Sequence, residues 1–230
     1  MSSNLHRFLK RPLFILLFLI LGPAAYALPK QWEPEIKTFE QADKTNPPPQ
    51  NAILFIGSSS IRKWTSLAAD FPNHKVINRG FGGSEISDSV FFTDRVVVPY
   101  HPKLILFYAG GNDINNGRSA KQTFADFKAF AAGVHRQLPK TTIAYISIAP
   151  NPARWAQVER VKEANHLIKS YCRWRRHLKF IDVFHSMLGP NGRPRSELFV
   201  GDRLHMNPEG YLLWTGIVSP YLDKMDRPLK

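Results

Sequence analysis

Five short apolar runs recur along the chain, at residues 52–56, 75–78, 103–108, 141–148 and 179–183. Their apolar residues are nearly consecutive rather than alternating, the pattern of strands covered on both faces. The segments between them have helical period, at 61–69, 86–98, 120–137, 153–176 and 208–221. The third sets Phe124, Phe127, Phe130 and Val134 on one face, and the fourth does the same with Val158, Val161, Leu167 and Ile168. The last begins at Asn207, a capping residue, followed by Pro208 and Glu209, which suit the first turn. Strands alternating with helices predict an α/β three-layer sandwich around a five-stranded parallel sheet. Such folds bind ligands at the carboxyl ends of their strands.

The ends of the chain follow other rules. Residues 1–12 carry Arg7, Lys10 and Arg11 and no acid; residues 13–21 are all apolar, and Gly22-Pro23 and Ala25-Tyr26-Ala27 follow. A basic head, a short apolar middle and a small-x-small end predict a signal peptide over 1–27, with export to the periplasm or beyond. The apolar run is shorter than the ~20 residues of a spanning helix, which favours cleavage after Ala27 over an uncleaved membrane anchor. Residues 28–50 end in Pro47-Pro48-Pro49 and read as an extended lead-in. The folded domain is expected over 51–230.

The chain carries a net charge of +13; without Arg7, Lys10 and Arg11 it is +10. A basic exported domain suits peripheral contact with an anionic envelope surface. No nucleic-acid motif is present, and the basic residues are scattered apart from 173–177, where cations near a helix C-terminus need no ligand to explain them. The single cysteine, Cys172, excludes an intrachain disulfide and falls in a helix away from any reactive motif, so it reads as a packed thiol.

Chemistry-bearing residues follow the strands. Gly57-Ser58-Ser59-Ser60 comes after the first, at a tight turn into a helix; serines there either cap the helix or expose a nucleophile beside backbone N–H groups. Asn78-Arg79-Gly80-Phe81-Gly82-Gly83 comes after the second and lets backbone approach a ligand, but lacks the Gly-x-Gly-x-x-Gly spacing of a dinucleotide loop. Gly110-Gly111-Asn112-Asp113 comes after the third; its amide either closes an Asx turn or donates to an oxyanion. Gly201-Asp202-Arg203-Leu204-His205 precedes the last helix, and a carboxylate three residues before a histidine can hold its Nδ1–H and leave Nε2 as a base. No zinc-ligand spacing such as His-Glu-x-x-His occurs, so no metal is expected. Each block alone is weak, and their joint placement at one sheet edge carries the reading.

Taken together the blocks resemble the SGNH hydrolases, the GDSL esterase/lipase superfamily, over about residues 51–223. The resemblance implies a flavodoxin-like strand order 2-1-3-4-5 and cofactor-free cleavage of acyl esters. By motif position it implies Ser59 as nucleophile, Asp202 and His205 as its acid–base partners, and Ser59, Gly83 and Asn112 as oxyanion donors. The spacing is most similar to the small-acyl branch, which implies a short acyl ester as substrate, on a glycan or lipid. The first block departs from the family's Gly-Asp-Ser, with Ser58 in place of the acid. The same residues would also serve an acyltransferase or a thioesterase, and a basic α/β domain could bind anionic glycan or lipid without catalysis.

Overall fold

The structure is a computed structural model that describes residues 30–226; the expected signal peptide lies outside them. Thirteen helices and strands follow in chain order: α1 (Glu33–Thr45), β1 (Ile53–Gly57), α2 (Ser59–Arg62), α3 (Leu67–Asp70), β2 (Val76–Gly80), α4 (Ile86–Val96), β3 (Leu104–Tyr108), α5 (Gly111–Asn115), α6 (Ala120–Gln137), β4 (Thr142–Ile146), α7 (Val158–Arg173), β5 (Leu178–Ile181) and α8 (Pro208–Asp226). The five strands form one parallel sheet in the order β2-β1-β3-β4-β5, as expected.

The continuous apolar runs have the physical role that their pattern implies. Every residue of β1, β3 and β4 is buried, and alternate side chains enter separate cores on the two faces of the sheet. Leu54, Ile56, Ile105, Phe107, Ile143 and Tyr145 face a core closed by Ile86 and Phe92 of α4, Phe127, Phe130 and Val134 of α6, and Val161 and Ile168 of α7. Ile53, Phe55, Leu104, Leu106, Ala144 and Ile146 face a second core built around Trp64 and Trp214, with α8 supplying Val218 and Leu222. Cys172 is packed into the first core, and burial pushes its thiol up to about 12, which leaves it protonated and inert.

Three expectations need correction. The extended lead-in is helical over most of its length: α1 runs to Thr45 and stops at Asn46, just before the prolines. Only Ile36 of α1 is buried, and the helix is held by charged contacts with distant residues. Arg95 binds Glu33 (2.7 Å) and Glu40 (2.6 Å), Arg79 pairs with Asp43, and Tyr100 donates to Asp43 (2.5 Å). The single helix expected over 61–69 is two short helices, α2 and α3, because the chain turns at Trp64. The helix expected from residue 153 begins as a 3-10 turn, Pro152–Gln157, with α7 proper starting at Val158. Among the described residues no helix is long and apolar enough to cross a membrane.

Candidate active site

The loops after β1, β2 and β3 and the segment before α8 meet at the carboxyl edge of the sheet. Gly57 ends β1 with φ +137°, and the Ser58 N–H donates across to Tyr108 O at the end of β3 (3.0 Å). A Cβ on Gly57 would stand 1.8 Å from that same oxygen, so only glycine fits. This sharp exit starts α2 at Ser59, whose N–H at the first helical position has no intrahelical acceptor. Ser58, which replaces the usual acid, is buried and makes no cap hydrogen bond.

The last of these loops is equally constrained. Arg203 adopts φ +58°, and the Leu204 and His205 N–H groups both donate to Asp202 Oδ1 (2.9 and 2.8 Å). The other carboxylate oxygen meets His205 Nδ1 at 2.6 Å, and His205 Nε2 lies 3.0 Å from Ser59 Oγ. A carboxylate can only accept, so Nδ1 carries the proton and Nε2 is free to accept from the serine hydroxyl. Partial burial tends to raise the Asp202 carboxyl, but the His205 ring and the two backbone donors outweigh it and hold the group well below the usual carboxylate range. Asn207 then caps α8 by accepting from the Gly210 N–H (3.0 Å), and Tyr211 donates to Ser60 O (2.9 Å), tying α8 to the serine turn.

Asn112 sits in α5, a turn of helix that the sequence does not announce. Its Nδ2 donates to Ser84 O (3.1 Å), and its Oδ1 accepts from Arg154 Nη1 (2.9 Å). Asn112 lines the same cavity as Ser59 and His205, about 30 Å³ in volume. Gly83 lies beside it: a Cβ there would be 3.7 Å from Asn112 Nδ2. The neighbouring Gly82 N–H donates to Glu35 Oε2 (2.9 Å), and the Trp32 ring covers Gly82 so closely that a Cβ would lie 1.7 Å from it. The N-terminal helix therefore braces the glycine loop, a role that no local signal reveals.

Asp113 is fully buried and accepts the Ile86 N–H at the start of α4 (3.1 Å). Burial raises its carboxyl from the ordinary 3.8 to about 7, although the Ile86 hydrogen bond opposes the shift. An acid raised in the folded state holds its proton more tightly there than in the unfolded chain. Its contribution is complete below about 4 and is lost as pH climbs through about 7. Asp113→Asn keeps the acceptor without the charge, so the Tm of the variant relative to wild type should rise between pH 4 and pH 8. Melting curves across that range check this; a constant difference would mean that Asp113 ionises normally.

An Asp-x-x-His occurs a second time. Asp182 Oδ2 meets His185 Nδ1 at 2.9 Å at the end of β5, and the His185 N–H donates to Asp182 Oδ1 (3.3 Å). This copy faces solvent, and nearby Ser147 Oγ is buried, accepting from the Val183 and Phe184 N–H groups. Of the two, only the copy at 202–205 reaches a serine hydroxyl, Ser59 Oγ in the partly buried turn after β1. Among the described residues no group of three or more His, Cys, Asp or Glu is arranged to hold a metal ion.

A sequence model of the GDSL-like Lipase/Acylhydrolase family matches residues 54–213. The chain belongs to the GDSL-like lipase/acylhydrolase family. It is accordingly a carboxylic ester hydrolase. Among curated proteins none matches the sequence. Solved structures that resemble it include a proposed platelet activating factor from Streptococcus pneumonia, at 22% identity and TM-score 0.75 over 84% of this chain and 93% of that one. A GDSL-like lipase from Bacteroides thetaiotaomicron matches at 19% identity and TM-score 0.72, over 82% and 97% of the two chains. An acetyl xylan esterase matches at 17% identity and TM-score 0.60, over 74% and 98%. At such identities these likenesses establish a shared GDSL-hydrolase fold.

Proposed function

We propose that this GDSL hydrolase cleaves esters of short, acetyl-like acyl groups through an acyl-enzyme on Ser59. The observation that carries the reading is the 3.0 Å approach of His205 Nε2 to Ser59 Oγ, with Asp202 on the opposite ring nitrogen. Ser59 Oγ attacks the ester carbonyl carbon while its proton passes to His205 Nε2, and Asp202 stabilises the imidazolium. The resulting oxyanion is met by the N–H groups of Ser59 and Gly83 and by the Asn112 amide. Collapse breaks the bond to the alcohol, which leaves with the proton from His205. Water, deprotonated by His205, then releases the acid and restores Ser59.

The small cavity supports a short acyl group, as does the likeness to a protein named an acetyl xylan esterase, which also suggests an acyl group carried on a glycan. The pattern of residues 1–27 supports export and action in the periplasm or outside the cell. The N-terminal sequence of the protein recovered from its host checks this: a start at Leu28 is expected, and a retained leader would make it an anchor.

The deciding assay uses p-nitrophenyl acetate, butyrate and octanoate with wild type, Ser59→Ala and Ser58→Ala. Acetate should turn over fastest, and activity should vanish only in Ser59→Ala. A folded wild type inactive on all three would redirect the reading to acyl transfer or to binding without catalysis.

Glu35 gives a further expectation. Glu35→Ala frees the Gly82 N–H and loosens the loop that carries Gly83, which should lower kcat about tenfold with KM little changed, the scale of one lost hydrogen bond. Glu35→Gln retains an acceptor and should recover most of it. Steady-state kinetics on the three proteins would decide; equal kcat in all three would separate α1 from the oxyanion site.

A further inference from the structure

Most of the partly buried arginines among the described residues have an acid. Arg79 meets Asp43, Arg95 meets Glu33 and Glu40, Arg118 meets Asp126 and Arg195 meets Glu197. Arg154 is half-buried and has none. Its Nη1 donates to two neutral acceptors, Gly111 O (3.2 Å) and Asn112 Oδ1 (2.9 Å), while Nε and Nη2 have no hydrogen-bond partner among the described residues. The backbone beneath it is fixed: the Arg154 N–H donates to Asn151 Oδ1 (2.9 Å), and the Ala153 N–H donates to Arg203 O (3.1 Å) in the loop that carries Asp202 and His205. The side chain lines the cavity shared by Ser59, Asn112 and His205. It also lines an adjoining small cavity walled by Ile148, Pro150, Trp155 and Val158.

A guanidinium taken partly out of water without an acid is costly, and its cost is relieved when an anion arrives. Its planar fork suits two oxygens of one group. Holding the Asn112 amide oxygen and Gly111 O occupies Nη1 alone and leaves the N–H groups of Nε and Nη2 unused.

We propose that Arg154 is an anion-recognition group of the ester site, and that the preferred substrates carry a carboxylate or phosphate close to the scissile ester. This rests on the ester-hydrolase reading above and names the substrate class within it. Nη1 keeps Asn112 oriented while Nε and Nη2 bind the anion, so the residue links substrate charge to the oxyanion donor.

The test compares 3-acetoxybenzoate and 3-acetoxyphenyl phosphate with neutral 3-acetoxybenzamide, each cleaved by water to acetate and the phenol. Wild type should favour at least one anionic ester by about 10- to 100-fold in kcat/KM, chiefly through KM, the scale of charge-assisted hydrogen bonds. The preference should shrink as salt is added. Which of the two anions gains identifies the recognised group. In Arg154→Gln the preference should collapse to about onefold on top of any loss common to all three esters, and Arg154→Lys should keep part of it. Binding is read separately by thermal shift: 3-hydroxybenzoate or 3-hydroxyphenyl phosphate should raise the Tm of wild type and not of Arg154→Gln, and 3-hydroxybenzamide should raise neither. Neutral ester cleaved as well as both anionic ones, or a preference that survives in Arg154→Gln, overturns the assignment and leaves the hydrolase reading intact. No cleavage of any ester by folded wild type overturns the hydrolase reading, and the thermal shift then decides the anion site by itself.

Discussion

His205→Ala should lower kcat for acetyl-ester hydrolysis by about 10⁴-fold or more and leave KM within a few fold, the behaviour expected of a residue that acts mainly in the transition state. Its Nε2 is the only ring nitrogen of the described residues recorded within hydrogen-bond reach of Ser59 Oγ, so no neighbour replaces it as base. Asp202→Asn should cost a similar factor for a different reason. The present carboxylate fixes the proton on Nδ1; an asparagine that presents its NH₂ to that nitrogen instead selects the tautomer with Nε2 protonated, which cannot accept the serine proton. The double variant should be little worse than either single one, because the pair acts as a unit. Steady-state kinetics with p-nitrophenyl acetate on the three proteins provide the check. A loss below tenfold in His205→Ala would remove the histidine from the chemistry. The Asp202 carboxyl is held far below the ordinary range, so its titration should add no acid limb to the rate profile above about pH 4.

Gly57→Ala should prevent folding or destabilise the chain by about 4 kcal/mol or more, beyond the usual range for one substitution. Two penalties combine. The backbone at φ +137° is one that L residues avoid, and the added carbon would meet Tyr108 O at 1.8 Å. That oxygen is the acceptor of the Ser58 N–H, so β1 and β3 cannot separate without opening the serine turn. Gly117→Ala is the control: φ is +91° but nothing lies within 4 Å of the new carbon, so only conformational strain of about 1 kcal/mol is expected. Urea unfolding of the two variants beside wild type measures the difference; equal midpoints would show that the close contact can relax.

The sheet is legible in the sequence because burial on both faces forces consecutive apolar residues, and each expected strand overlaps the observed one closely. The two-sided core follows from the same runs. Helix α1 is not legible, since it buries only Ile36 and is held by Arg79, Arg95 and Arg62, 27 to 62 residues away in sequence. Local pattern carries no trace of such partners. The blocks around Ser59, Gly83, Asn112, Asp202 and His205 are visible as motifs, and the structure brings them to one edge of the sheet. Yet Asp-x-x-His spacing recurs at Asp182 and His185 with nearly the same local hydrogen bonds, so spacing states the geometry of the pair and not its target. What selects the copy at 202–205 is the fold, which sets His205 against Ser59 across 146 residues of chain. Arg154 reads in sequence as one cation among many. Its distinction is the lack of an acid around it, which only the packed structure shows.

That separation along the chain also orders events during synthesis. The glycine loop is braced from residues 32 and 35, the serine turn is backed by Tyr211, and the histidine that faces Ser59 is made 146 residues after it. At about 5–20 residues per second, a ribosome takes roughly 7–30 s to cover that stretch. Throughout that time the nascent chain holds a serine with no base beside it. On the mechanism proposed above the hydrolase is latent while being made, and its activity begins only when the segment from Asp202 into α8 has joined the fold.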